Sequence, residues 1–261
     1  MKIAFPEYHN EIVQSALKKA ENIEAIEAAN LEDACEKVKN HEADAIIAGI
    51  DYTTRAVVLA AKNYLGMKNQ TFSSCFLLKP PVNPINPETA KTYILADAGV
   101  TKSPTKDQLK DIIFQTYESA TKLLDETPKI AVLSFSTKGS ARDESIDKAN
   151  EVIREIKTKN PEIIIDGELQ LDAAINPRIA AKKCPDSPLQ GAANVLIAPD
   201  LNSGNILYKS FEQLGNYTAA GPLLQGFNFP ISDLSRGSTA EDVLLVIDCL
   251  QKIASKSFQT V

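Results

Sequence analysis

Short runs of β-branched and aliphatic residues alternate with longer stretches of helical periodicity along nearly the whole chain, and no other feature constrains its fold as strongly. Strand-like runs fall at residues 2–5, 43–48, 73–78, 92–96, 130–134, 163–165, 195–198 and 217–220. Helical periodicity falls between them, at 11–20, 53–65, 105–124, 145–158, 206–214 and 240–254. A helix that carries the chain back between two strands leaves those strands parallel, so the alternation predicts an α/β fold with a largely parallel sheet. Apart from Asp44 at its start, the run 43–48 (ADAIIA) is apolar on both faces, as a strand covered on both sides must be. With 261 residues the chain can bury a core of one large domain or two lobes. Pro80, Pro81, Pro84 and Pro87 read as a loop or hairpin rather than a linker.

Charge narrows the function classes. The formal net charge is −6 and no Lys/Arg stripe runs along the sequence, so a nucleic-acid partner is not expected. An anionic metabolite would have to be held by a few local cations and helix N-termini. No apolar run is long enough to span a bilayer, and the opening Met1–Glu7 stretch lacks the pattern of a secretory signal, so a cytoplasmic protein is expected. The four cysteines, Cys35, Cys75, Cys184 and Cys249, are scattered with no C-x-x-C, which predicts reduced thiols and neither a zinc site nor a redox pair. His9 and His41 stand in polar surroundings, and no metal is expected.

Four segments carry residues suited to chemistry. In the run from Leu133 to Ser140 a strand ends in Ser136, Thr137, Lys138 and Gly139, where backbone N–H groups and an ammonium could meet a phosphate; an ordinary strand-to-helix turn would read the same. Asp166-Gly167-Glu168 and Asp172 crowd a turn and a helix start, where Glu168 and Asp172 would favour the helix N-terminus. Asn202, Ser203 and Asn205 follow a strand, with Asn202 or Ser203 a credible N-cap. Ser238-x-x-Glu241 fits a capping box ahead of the run 243–247, which leaves Ser235-Arg236-Gly237 without a structural explanation. An arginine beside open N–H groups suits an oxyanion or phosphate.

Taken together, LSFSTKGSA, DGELQLDAA, GAANVLIAPDLNSGNILYK, GPLLQGF and DLSRGS with the later EDV resemble, in order and spacing, the phosphate acetyltransferases (phosphotransacetylases) of the phosphate acetyl/butyryltransferase family. The likeness runs from about Ala43 to the C-terminus, and DGELQ and DLSRG favour the acetyl branch. It implies a two-lobed fold like isocitrate and isopropylmalate dehydrogenases, with an inter-lobe cleft. Lobe I would take residues 1–66 plus 226–261 and lobe II residues 67–225. It also implies a homodimer that converts acetyl-CoA and phosphate to acetyl phosphate and CoA. Coenzyme A is then a substrate and no cofactor is needed. The family's central Ser-Arg pair and following Asp fall on Ser235, Arg236 and Asp242.

Two departures stand out. The N-terminal lobe is abbreviated and lacks the family's Tyr-x-x-Arg-Lys segment, and Leu59 occupies the position of a second arginine. Arg55 lies one turn earlier on the same helix face and could substitute, with Thr53 and Thr54 at the helix start, or it could be a surface residue. Neither a Cys–His nor a Ser–His couple is evident, which favours direct attack of the CoA thiolate on the acyl phosphate in a ternary complex over an acyl-enzyme. The alternatives are a non-catalytic binder of CoA or acyl phosphate, an acyltransferase for longer chains, and an oxidoreductase on the same fold, against which the lack of G-x-G-x-x-G counts.

Overall fold

A computed structural model describes residues 1–255. The chain divides into two compact units, Met1–Ser74 with the chain from Ala220 onward, and Cys75–Ala219.

In the first unit β1 (Lys2–Phe5) pairs in parallel with β2 (Glu24–Glu27) and with β3 (Ala45–Ala48). Strand β3 is parallel to the late strand β10 (Ile231–Asp233), which runs antiparallel to β9 (Thr218–Gln225). Helices α1 (Glu11–Leu17), α2 (Leu31–Lys39) and α3 (Thr54–Ala60) connect the strands, and α3 runs into a π-helical turn, Ala61–Leu65. The last helix, α9 (Ala240–Ser255), packs on α1. Ile3, Phe5, Ile46, Ile47, Val246 and Ile247 are buried in this core. Each such side chain contributes about 1.5–3 kcal/mol by leaving water.

In the second unit β4 (Ser73–Lys79), most of which lies here, pairs antiparallel with β5 (Tyr93–Ala96). Strand β5 is parallel to β8 (Val195–Ile197), β8 to β6 (Lys129–Leu133), and β6 to β7 (Ile164–Leu169). Helices α4 (Lys106–Leu123), α5 (Glu144–Lys159), α6 (Leu171–Ile175), α7 (Pro177–Lys183) and α8 (Leu201–Gln213) complete it. Phe76 and Tyr208 stack at 4.2 Å within its apolar cluster.

The α/β alternation with mainly parallel pairing is as the sequence predicts. Strands β2 and β10 and helices α2, α6 and α7 lie outside the predicted runs. Strand β2 is half polar, with both glutamates exposed, and β10 has three residues, so neither shows a periodicity to read. Two caps also differ. Asp200, rather than Asn202 or Ser203, caps α8, accepting from Ser203 N–H at 2.8 Å, and the helix starts five residues before the predicted 206. At α9 the reciprocal box is Thr239 with Asp242, one residue later than Ser238 with Glu241. Among the described residues no helix is long and apolar enough to cross a membrane.

Candidate functional site

The carboxyl ends of β1, β3 and β10 lie side by side in the first unit, where an open parallel sheet presents its loops to ligands. After β10 the chain turns through Ser235–Ser238. Ser235 N–H donates to Ser238 Oγ (3.0 Å), and Ser238 N–H donates to the Ser235 carbonyl (2.9 Å). Gly237 N–H donates to Ser235 Oγ (3.3 Å), which also lies 3.4 Å from the Ser238 hydroxyl. The Ser235 oxygen is thus held as an acceptor, and its own proton is available to a ligand. Ser235, Arg236 and Gly237 are exposed, and Arg236 makes no hydrogen bond or ion pair among the described residues.

Asp242 sits in the first turn of α9. Its Oδ2 accepts from Thr239 N–H (2.7 Å) and from the Thr239 hydroxyl (2.9 Å), while Thr239 Oγ1 accepts from Asp242 N–H (3.2 Å). The carboxylate is therefore also the helix cap, and Oδ1 is the oxygen left for other work.

The loop from β3 to α3 is shaped by an acid that sequence reading passed over. Glu7, 7% exposed, places its carboxylate against four successive backbone N–H groups. Oε2 accepts from Gly49 (2.9 Å) and Ile50 (3.1 Å), and Oε1 from Asp51 (2.5 Å) and Tyr52 (3.1 Å). Such a row of N–H groups is a ready anion seat, and here the protein's own side chain fills it. Thr53 then caps α3, accepting from Ala56 N–H (3.2 Å), and Thr54 and Arg55 follow, both exposed. Leu59, one turn on, is 45% exposed.

Asp233, the last residue of β10, is a second overlooked acid. It is 1% exposed, and neither carboxyl oxygen receives a well-formed hydrogen bond. It presses on the backbone of Gly49: a Cβ there would lie 2.5 Å from Asp233 Oδ1 and 2.5 Å from the Leu234 carbonyl. Burial raises its pKa to about 6; the nearby Thr54 hydroxyl opposes the shift and the Glu7 charge adds to it. Asp233 opens the DLSRGS motif, but its burial cannot be read there, because the strand that ends on it is too short to recognise.

The other candidates belong to the second unit. In the loop after β6, Lys138 Nζ pairs with Asp166 Oδ1 at 2.6 Å and donates to the Gly167 carbonyl at 2.9 Å. Lys157 reaches the same Asp166 oxygen at 2.8 Å. Glu168 Oε1 accepts from Gly139 N–H (2.7 Å) and the Ser136 hydroxyl (2.9 Å), and its Oε2 accepts from Asn150 (2.8 Å). Burial pushes both acids up, yet these donors hold each below its ordinary value. Thr137 Oγ1 accepts from Gln170 N–H (3.0 Å). The groups expected to meet a phosphate, Ser136, Thr137, Lys138 and Gly139, therefore already serve internal partners. Of the two acids expected at a helix start, Asp172 does lie in the first turn of α6, whereas Glu168 holds the loop after β6 instead.

Asn202, in the first turn of α8, lines a pocket of about 620 Å³ with Leu133, Ser134, Phe135, Lys148 and Ile206. Phe135 and Ile206 are exposed there. Asn205 donates to the Ala98 carbonyl at 3.4 Å.

A sequence profile of the family described as phosphate acetyl/butaryl transferase matches residues 2–249. Over 206 residues the chain is 43% identical to a phosphate acetyltransferase of Treponema pallidum, an alignment that covers 77% of this chain and 61% of that one. The chain spans about 60% of the length of the curated relatives it matches. Among solved structures, a phosphotransacetylase from Streptococcus pyogenes superposes with a TM-score of 0.85 at 32% identity, covering 98% of this chain and 94% of the other. A 4-hydroxythreonine-4-phosphate dehydrogenase from Klebsiella pneumoniae matches with a TM-score of 0.52 at 14% identity, over 86% of this chain and 69% of that one, a likeness of fold alone. The dehydrogenase-like fold expected from the sequence is thereby supported.

Proposed function

The chain belongs to the phosphate acetyl/butaryl transferase family, and from that membership we propose that it transfers an acetyl group between coenzyme A and inorganic phosphate. The observation that carries the proposal is the turn after β10, where, among the described residues, the Ser235 hydroxyl has no acceptor for its proton and the neighbouring Arg236 guanidinium has no partner. In the direction of acetyl-CoA synthesis, the CoA thiolate attacks the carbonyl carbon of acetyl phosphate. A C–S bond forms, the C–O bond to phosphate breaks, and inorganic phosphate leaves as the hydrogen phosphate dianion, taking up the proton that the thiol gives up. Ser235 donates a hydrogen bond to the oxygen that gathers charge, and Arg236 binds the phosphoryl group.

The thiol proton passes to Asp242 through Oδ1. Against a thiol near 8.5, an ordinary carboxylate near 3.9 leaves about 6 kcal/mol uphill. Arg236 assists this transfer, because its charge favours the thiolate. Thr53, Thr54 and Arg55 are assigned to the phosphoryl end, with Arg55 in the role of the missing arginine at Leu59. Asn202 and Asn205 are assigned to substrate binding together with the Ser136–Gly139 loop, whose internal hydrogen bonds fix the shape it presents, and the active form is a homodimer.

Replacing Arg236 by Ala should lower kcat/KM for CoA acetylation by acetyl phosphate on the order of a hundredfold or more, with the far-ultraviolet circular dichroism unchanged. Turnover like that of the unaltered protein would remove Arg236 from the mechanism. The exposed Leu59 favours a second reading, a binder of CoA or acyl phosphate without turnover. Background activity together with clear CoA binding by calorimetry would select it.

A further inference from the structure

We infer that Asp233 is a further positioning residue of this site, a buried carboxyl that must keep its proton for Arg236 and Arg55 to hold a tetrahedral dianion. The inference rests on the acetyl-transfer reading only for where the dianion sits. Its basis is an imbalance behind one glycine loop. Two acids, Glu7 and Asp233, converge on Gly49. The four N–H groups of residues 49–52 go to Glu7, and Asp233 has no well-formed hydrogen bond for either oxygen. A buried carboxylate without donors or a cation is strongly disfavoured, whereas the neutral acid is tolerated there.

The groups facing Asp233 reinforce this. Glu7 comes from the segment after β1 and adds a like charge, and the Thr54 hydroxyl comes from the start of α3. Asp51 and Arg55 on the same loop and helix, and Arg236 on the turn after β10, are exposed. Burial above all, with Glu7 adding, sets the ionisation at about 6, so the proton leaves near neutral pH.

Asp233 lies two residues before Ser235 and against the loop that leads to Arg55. Ionising it sets a negative charge behind the anion-holding groups. At an effective dielectric near 20, a repulsion across roughly one Debye length, about 10 Å, and screened by salt weakens a bound dianion on the order of tenfold. By linkage, binding the dianion draws a proton onto Asp233.

The test uses the full chain and sulfate, a tetrahedral dianion that does not itself titrate between about pH 5 and 8. Titration calorimetry at pH 6.5 in two buffers of different ionisation heat should show proton uptake on binding, and affinity should fall about tenfold from pH 5 to pH 8. D233N, neutral and of the same size, should bind without proton uptake, with a flat pH profile, and more tightly than the unaltered protein at pH 8. Absence of proton uptake by the unaltered protein overturns the inference, as does an unchanged pH slope in D233N. If D233N does not fold, the proton count of the unaltered protein decides alone. Sulfate binding with the predicted proton uptake but no acetyl transfer keeps this inference and removes the function proposed above. Acetyl transfer without sulfate binding does the reverse.

Discussion

At the scale of single residues, the unusual chemistry of this chain sits in two acids that look ordinary in the sequence. Glu7 is one letter of an opening strand-and-turn, and Asp233 one letter of DLSRGS. Their difference lies in which donors the fold supplies, and that is decided by residues more than forty positions from Glu7 and far from Asp233 in the chain. The effect on stability is testable apart from any ligand. The folded Asp233 ionises near 6, above its unfolded value of 3.8. Below about 3.8 the carboxyl is neutral in both states and stability is full; between the two values the folded chain binds more protons, so stability falls as pH rises, and the loss is complete above about 6. A rise from 3.8 to about 6 corresponds to roughly 3 kcal/mol. D233N should escape this loss, so urea unfolding at pH 4 and pH 7 should show the variant gaining on the unaltered protein by up to about that amount. A gap that stays constant with pH would contradict the assignment.

Among elements, the sequence revealed what periodicity can reveal. Strands buried on both faces, such as β3 and β5, were legible as unbroken apolar runs, and long amphipathic helices, such as α4 and α5, because a core face repeats in the letters. The turn Ser235–Ser238 was visible as a motif, but β10, which aims it, was not, since three residues carry no period. The capping box at α9 was found one residue off, because Ser238-x-x-Glu241 and Thr239-x-x-Asp242 satisfy the same rule, and only the backbone path chooses Thr239. That choice matters, because it gives Asp242 a structural duty alongside its proposed chemical one. The loop from β3 to α3 offers a direct test of element-level design. Replacing Glu7 by Gln keeps the shape but turns an NH₂ group toward two backbone donors, which should cost roughly 3 kcal/mol in urea unfolding. A loss below about 0.5 kcal/mol would show that the four N–H contacts contribute little.

For the molecule as a whole, the scattered cysteines predict reduced thiols, and the fold adds what their spacing does not show, that none is exposed. All four cysteines are buried, two in each unit. Burial, chiefly, raises Cys35 to about 11 and Cys249 to about 12, and it raises Cys184 as well. The native protein should accordingly react with a chromogenic disulfide far more slowly than free thiols do, and should release four equivalents once unfolded in urea. Fast reaction of even one thiol in the native state would contradict the burial described. The same property makes thiol release from CoA a clean readout of turnover.

The grip of Glu7 on residues 49–52 has a practical corollary for anyone who would trim this protein. A shortened version beginning after that acid would retain every side chain assigned to acyl exchange. Yet it would lose the clasp that sets the path into α3, so the smallest working form is bounded by a residue that never meets its substrate.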